Sequence, residues 1–61
     1  MFKIQYKYGH WVSWNFEDTF IPPVGTIVML PNSDDIEFEY VVMSVKYSPT
    51  HQSVTIFVDD L

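Results

Sequence analysis

The stretch Ile36-Glu37-Phe38-Glu39-Tyr40-Val41-Val42-Met43-Ser44-Val45-Lys46-Tyr47, with the return run Val54-Thr55-Ile56-Phe57-Val58, decides the fold. Ile36, Phe38, Tyr40 and Val42 recur with the period of two that sets side chains on one face of a strand, while Glu37 and Glu39 mark the other face as wet. From residue 41 the second face turns apolar too. Val41, Met43 and Val45 oppose Val42, which predicts a bend into a region covered on both sides. Ser48-Pro49-Thr50-His51-Gln52-Ser53 reads as a turn, so residues 36–58 are expected to form one long β-hairpin.

The same period recurs upstream. Phe2, Ile4, Tyr6 and Tyr8 alternate with Lys3, Gln5 and Lys7, and Val12, Trp14 and Phe16 alternate with Ser13 and Asn15. This pattern predicts a second hairpin with a tight connection between Tyr8 and Trp11. Trp11 falls off the register, either turned out at the hairpin end or packed over the mouth of a barrel. Glu17-Asp18-Thr19 reads as loop. Phe20-Ile21-Pro22-Pro23-Val24-Gly25 reads as an irregular connection, since each proline removes a donor and holds its predecessor extended, and Gly25 closes the turn. Thr26-Ile27-Val28-Met29-Leu30 is a short apolar run, expected as a strand covered on both faces. Pro31-Asn32-Ser33-Asp34-Asp35 then turns into the long hairpin, and Asp59-Asp60-Leu61 is expected to fray. Five short strands and no helical period predict an all-β domain over residues 1–61, a small antiparallel barrel or a strongly bent meander. Closure would remove the edges that an open sheet leaves free to pair with another chain.

A chain of 61 residues buries only about 60% of its unfolded surface, so its margin of stability is thin. It has no cysteine, which excludes a disulfide framework or a thiolate metal site. The core must come from its two Trp, four Tyr and five Phe, more rings than so small an interior holds, so some are expected at the surface as contact residues. Eight acidic residues face three lysines, Lys3, Lys7 and Lys46, with no arginine and a net charge of −5. This balance argues against nucleic acid, whose affinity comes from neutralising several phosphates. It fits either plain solubility or an acidic face for a basic partner. No apolar run is long enough for a membrane span, and Met1-Phe2-Lys3 lacks a signal-peptide pattern. The expected location is the cytosol, taking Met1 as the start of a whole protein.

No constellation for catalysis or a cofactor emerges. His10 and His51 stand in separate turns, with no ligand spacing to a carboxylate. Asp34-Asp35 and Asp59-Asp60 lack the alternating oxygen ligands and central glycine of a calcium loop. Glu37 and Glu39 are neighbours on one strand face and cannot flank a substrate as acid and base. The expectation is therefore no enzyme, no metal and no cofactor.

Pro23-Val24-Gly25-Thr26-Ile27-Val28-Met29-Leu30, followed by Tyr40-Val41-Val42-Met43-Ser44-Val45-Lys46-Tyr47, resembles SH3-like β-barrels encoded by bacteriophages and other mobile elements. The resemblance covers roughly the second half of the chain and rests on a glycine turn with alternating apolar residues. It implies an SH3-like barrel and a phage source, hence the host cytoplasm, and carries over no catalytic residue. The leading expectation is a non-enzymatic protein-binding module. Its partner-binding residues are Trp11 and Phe57, rimmed by Asp34, Asp35, Glu37 and Glu39 and steered to a protein with a basic surface. One concrete form is a phage-encoded inhibitor covering the basic groove of a host nucleic-acid-processing or defence enzyme. The alternatives are a small structural subunit that buries its rings in a homo-oligomer, and a barrel that stacks oligosaccharide or single strands on exposed aromatics.

Overall fold

A computed structural model describes residues 1–61. Five strands follow in chain order: β1 (Phe2–Tyr8), β2 (Val12–Asp18), β3 (Ile27–Pro31), β4 (Glu37–Ser48) and β5 (Ser53–Asp60). There is no helix, and so none long and apolar enough to cross a membrane. The strands lie in the order β2-β1-β5-β4-β3 in one sheet. The two hairpins form as the alternation requires. Tyr8 pairs with Val12 across a three-residue turn in which Gly9 takes a φ of 62°, a left-handed conformation open to glycine at little cost. Val45 pairs with Ile56 in the long hairpin.

What joins the hairpins departs from the expected antiparallel barrel. β1 pairs with β5 in parallel, Ile4 beside Val54 and Tyr6 beside Ile56, so the sheet is mixed. β5 carries Val54, Ile56 and Val58 inward, and seating it between β1 and β4 buries all three. The sheet curls into a half-barrel, and its end strands β2 and β3 do not pair with each other. The edges that closure would have removed therefore remain.

The bend in β4 is a β-bulge. Val42 pairs with Val58 and Ser44 with Phe57, leaving Met43 without a partner. An extra residue inverts the alternation beyond it, so Val45 and Tyr47 join Val42 on the inner face. This corrects the expectation of cover on both faces. Val41, Met43 and Val45 do not share a second buried face; Met43 is 54% exposed. β3 is likewise covered on one side only. Leu30 is buried, while Ile27 and Met29 are 52% and 56% exposed on the outer face, because nothing packs over the convex side of the curl.

Two further expectations change. Glu17-Asp18 is strand, pairing with Lys3 and Phe2, and Asp59-Asp60 is strand, pairing with Val41 and Tyr40. In each case a neighbouring strand extends far enough to bond the backbone of polar residues. The core consists of Ile4, Leu30, Val42, Val54, Ile56 and Val58. Aromatic rings pack around this aliphatic centre, with Phe2 against Tyr47 at 5.5 Å and Tyr6 against Phe16 at 5.9 Å. Pro22, in the connection from β2 to β3, is also buried.

Candidate functional site

The pairing scheme brings one set of chain reversals to one end of the half-barrel: the turn Gly9–Trp11, the turn Asn32–Ile36 and the last residues of β5. Trp11 is 94% exposed there. The turn before β4 is held by Asn32, whose Oδ1 accepts the N–H groups of Asp34 (2.9 Å) and Ile36 (3.0 Å). This side-chain mimic of a backbone turn is why asparagine suits the position. It fixes Asp34 and Asp35 at the tip. Glu37 and Glu39 follow on the outer face of β4, and Asp59 and Asp60 end the neighbouring strand. Six of the eight carboxylates therefore lie in this half of the molecule.

Beneath these groups lies a cleft of about 520 Å³ lined by Tyr8, Val12, Ser13, Trp14, Pro31, Asn32, Ser33 and Tyr40. Its rings come from three strands. Tyr8 (β1) and Trp14 (β2) both pack on Tyr40 (β4), with centroids 5.3 and 5.5 Å apart and tilted planes, an arrangement favoured by the ring quadrupoles. Their polar ends are tied. The Tyr8 hydroxyl donates to the Asp60 carboxylate at 2.7 Å, and the Trp14 Nε1–H donates to the Pro31 carbonyl at 2.6 Å. The second bond spans the open seam between the edge strands. Asn32 N–H bonds to Ile36 O, so by alternation the carbonyl of Pro31 points off the sheet edge, where the indole of β2 meets it. Proline itself blunts this edge, having no N–H to offer a foreign strand.

Phe57 is placed elsewhere. It lies half-buried on the outer face, with the Lys46 ammonium 5.3 Å and the Lys7 ammonium 6.0 Å from its ring centroid. The sheet order explains this: Phe57 pairs with Lys7 on one side and Ser44 on the other, next to Lys46. The fold thus gathers Trp11, Asp34, Asp35 and Glu37 at one end, with Glu39 close behind, and sets Phe57 in a basic frame apart from them. Tyr8, Trp14, Tyr40 and Asp60 are the members of the site that sequence reasoning missed. A signal was present, because Tyr and Trp at the ends of strands need partners for their O–H and N–H when partly buried. No cluster of three His, Asp or Glu side chains is placed to hold a metal ion.

The Tyr8 phenol is raised above its ordinary value of 10.0 by donation to Asp60, by burial and by the charges of Asp60 and Asp59. Tyr6 is raised by burial and by Asp18. Because the folded state holds these protons more tightly than the unfolded chain, their contribution is complete below pH 10.0 and is lost as pH rises through the raised values. Thermal unfolding followed on either side of that pH, beside tyrosinate absorbance, is expected to show stability falling as the phenols ionise. Asp60→Asn removes the carboxylate and should return one phenol toward ordinary titration; a variant whose phenols ionise as in the wild type would refute the contact. Compared with protein-family models, curated proteins and solved structures, the chain matches none of them.

Proposed function

We propose that this chain is a non-enzymatic protein-binding module whose acidic end docks on a basic surface of a partner protein. The observation that carries this reading is segregation. Asp34, Asp35, Glu37, Glu39, Asp59 and Asp60 share one half of the fold with exposed Trp11, while Lys7 and Lys46 are held on the outer face around Phe57. Such a distribution attracts a basic surface to one end and repels it at the lysines around Phe57. Trp11 is the exposed anchor, a residue type enriched at interface hot spots. Phe57 stands outside the docking face. In its concrete form the module is a phage or mobile-element inhibitor, its carboxylates standing in for phosphates in the groove of a host nucleic-acid-processing or defence enzyme.

The test is fluorescence anisotropy with a labelled Lys/Arg-rich peptide and an acidic control, at low and high salt. The wild type should bind the basic peptide only, and more weakly as salt rises. The joint variant Asp34→Asn, Asp35→Asn, Glu37→Gln, Glu39→Gln should lose about fourfold to a thousandfold in affinity, each exposed pair contributing about 0.2–1 kcal/mol. Equal binding by the neutralised protein would overturn the reading. A second reading, a self-associating subunit, rests on a different observation: Ile27, Met29 and Met43 are exposed together on the outer face of β3 and β4. Light scattering at rising concentration separates the two, since this reading requires the mass to increase and the docking reading requires a monomer.

A further inference from the structure

We infer that the cleft formed by Tyr8, Trp14 and Tyr40 is a receptor for one organic cation on a flexible stem, the head group of a lysine, alkylated lysine or arginine side chain. The inference rests on the docking reading and names the group that the acidic end takes in. Three aromatic rings from three strands line it, Tyr8 and Trp14 each packed at a tilt against Tyr40, and a ring face open to the cleft attracts a cation within about 6 Å of its centroid. The chain's own cations do not serve them. Both of its cation–ring contacts are at Phe57, on the outer face, so the rings that line a cavity are the ones left without a positive charge.

The rest of the site selects the same sign. With the Trp14 N–H bonded to Pro31 and the Tyr8 O–H bonded to Asp60, two of the ring-borne donors that would welcome an anion are already engaged. The Asp60 carboxylate is thereby held by the hydroxyl of Tyr8, a lining residue of the cleft, and the turn residues Asn32 and Ser33 that line it lead directly to Asp34. An anion entering this field is repelled, and a neutral apolar group gains nothing from it. The cleft, about 520 Å³, admits a head group together with part of its stem.

The test compares choline with its uncharged isostere 3,3-dimethylbutan-1-ol, titrated into the wild type and followed by the indole N–H signals in a nitrogen-15 correlation spectrum. Trp11, exposed in the neighbouring turn, is the internal control. Choline is expected to shift the Trp14 signal saturably and to bind about tenfold tighter than the alcohol, with the Trp11 signal moving little. N-acetyl-lysine amide and N-acetyl-arginine amide, measured against N-acetyl-norleucine amide, separate the two side-chain sources. Tyr40→Leu, which keeps apolar volume and removes a ring, should cut choline affinity about tenfold, and Lys46→Gln should leave it unchanged. The isostere comparison needs no variant, so the inference can fail even where Tyr40→Leu does not fold. Equal binding of choline and the alcohol, no saturable shift at Trp14, or a shift produced only by a neutral oligosaccharide such as maltotriose would each overturn it. Peptide binding without choline binding would sink this inference and leave the docking reading standing. Choline selectivity without peptide binding would leave the cation receptor and remove the docking partner.

Discussion

Ile56→Ala is expected to cause a large fall in thermal stability, at least about 10 °C in Tm. Ile56 is the central inward residue of β5, the strand bonded to β1 on one side and β4 on the other, and its side chain is 0% exposed. Truncating a fully buried isoleucine removes its transfer free energy and leaves a cavity that tightly paired strands cannot collapse, at a cost of about 2–5 kcal/mol. A domain of this length has a total stability of about 3–9 kcal/mol. At about 4–8 °C per kcal/mol, the Tm should fall by at least 10 °C or so, and by far more where the cavity stays open. Ile27→Ala is the matched control: the same chemistry at a residue 52% exposed on the uncovered face, expected within about 0.5 kcal/mol of wild type. Circular dichroism melts of the two variants decide the point. If both lost the same few degrees, the core would not be centred on β5.

The second large effect concerns two single-residue deletions that look alike in the sequence. Met43 is the unpartnered residue of β4, between the pairs Val42–Val58 and Ser44–Phe57. Removing it joins those pairs into a continuous ladder and leaves Val42, Val45 and Tyr47 facing inward. The deletion is expected to fold, losing about 1–2 kcal/mol with the Trp14–Pro31 bond as the strand loses its bend. Removing Thr55 from β5 has the opposite result. With ladders on both sides and no bulge to absorb the slip, either Val54 or the pair Ile56 and Val58 must turn to the outer face. That protein should not fold. Dispersed nitrogen-15 spectra for the Met43 deletion and collapsed spectra for the Thr55 deletion are the expected pair; an unfolded Met43 deletion would show that the bulge is indispensable to the fold and not an added turn of curvature.

The same bulge shows where sequence reading stops. From Tyr40 to Val45 every residue except Ser44 is apolar, and a period of two assigns Val41, Met43 and Val45 to one face. Cover on both sides and a slip of one residue produce the same string. Only the partner strand distinguishes them, by skipping Met43. Polar strand ends behave in the same way: Glu17-Asp18 and Asp59-Asp60 have no strand signal of their own and are ordered because β1 and β4 lie beside them. Of the site, the exposure of Trp11 was legible from its place off the register, and the acidic rim from the composition of one turn and one strand face.

By itself the sequence determined the five strands, the two hairpins, the inward sets Phe2-Ile4-Tyr6-Tyr8 and Val54-Ile56-Val58, and the acidity, because each depends on neighbours within a few residues. Tertiary structure decided what those elements meet. The parallel seat of β5 beside β1 brought Lys7 and Lys46 to Phe57, and the curl of the sheet brought Trp14 to Pro31 and three rings from three strands around one cleft. Those contacts join residues up to 50 positions apart, and they form because burying the aliphatic face of β5 on both sides stabilises the chain more than any local preference does.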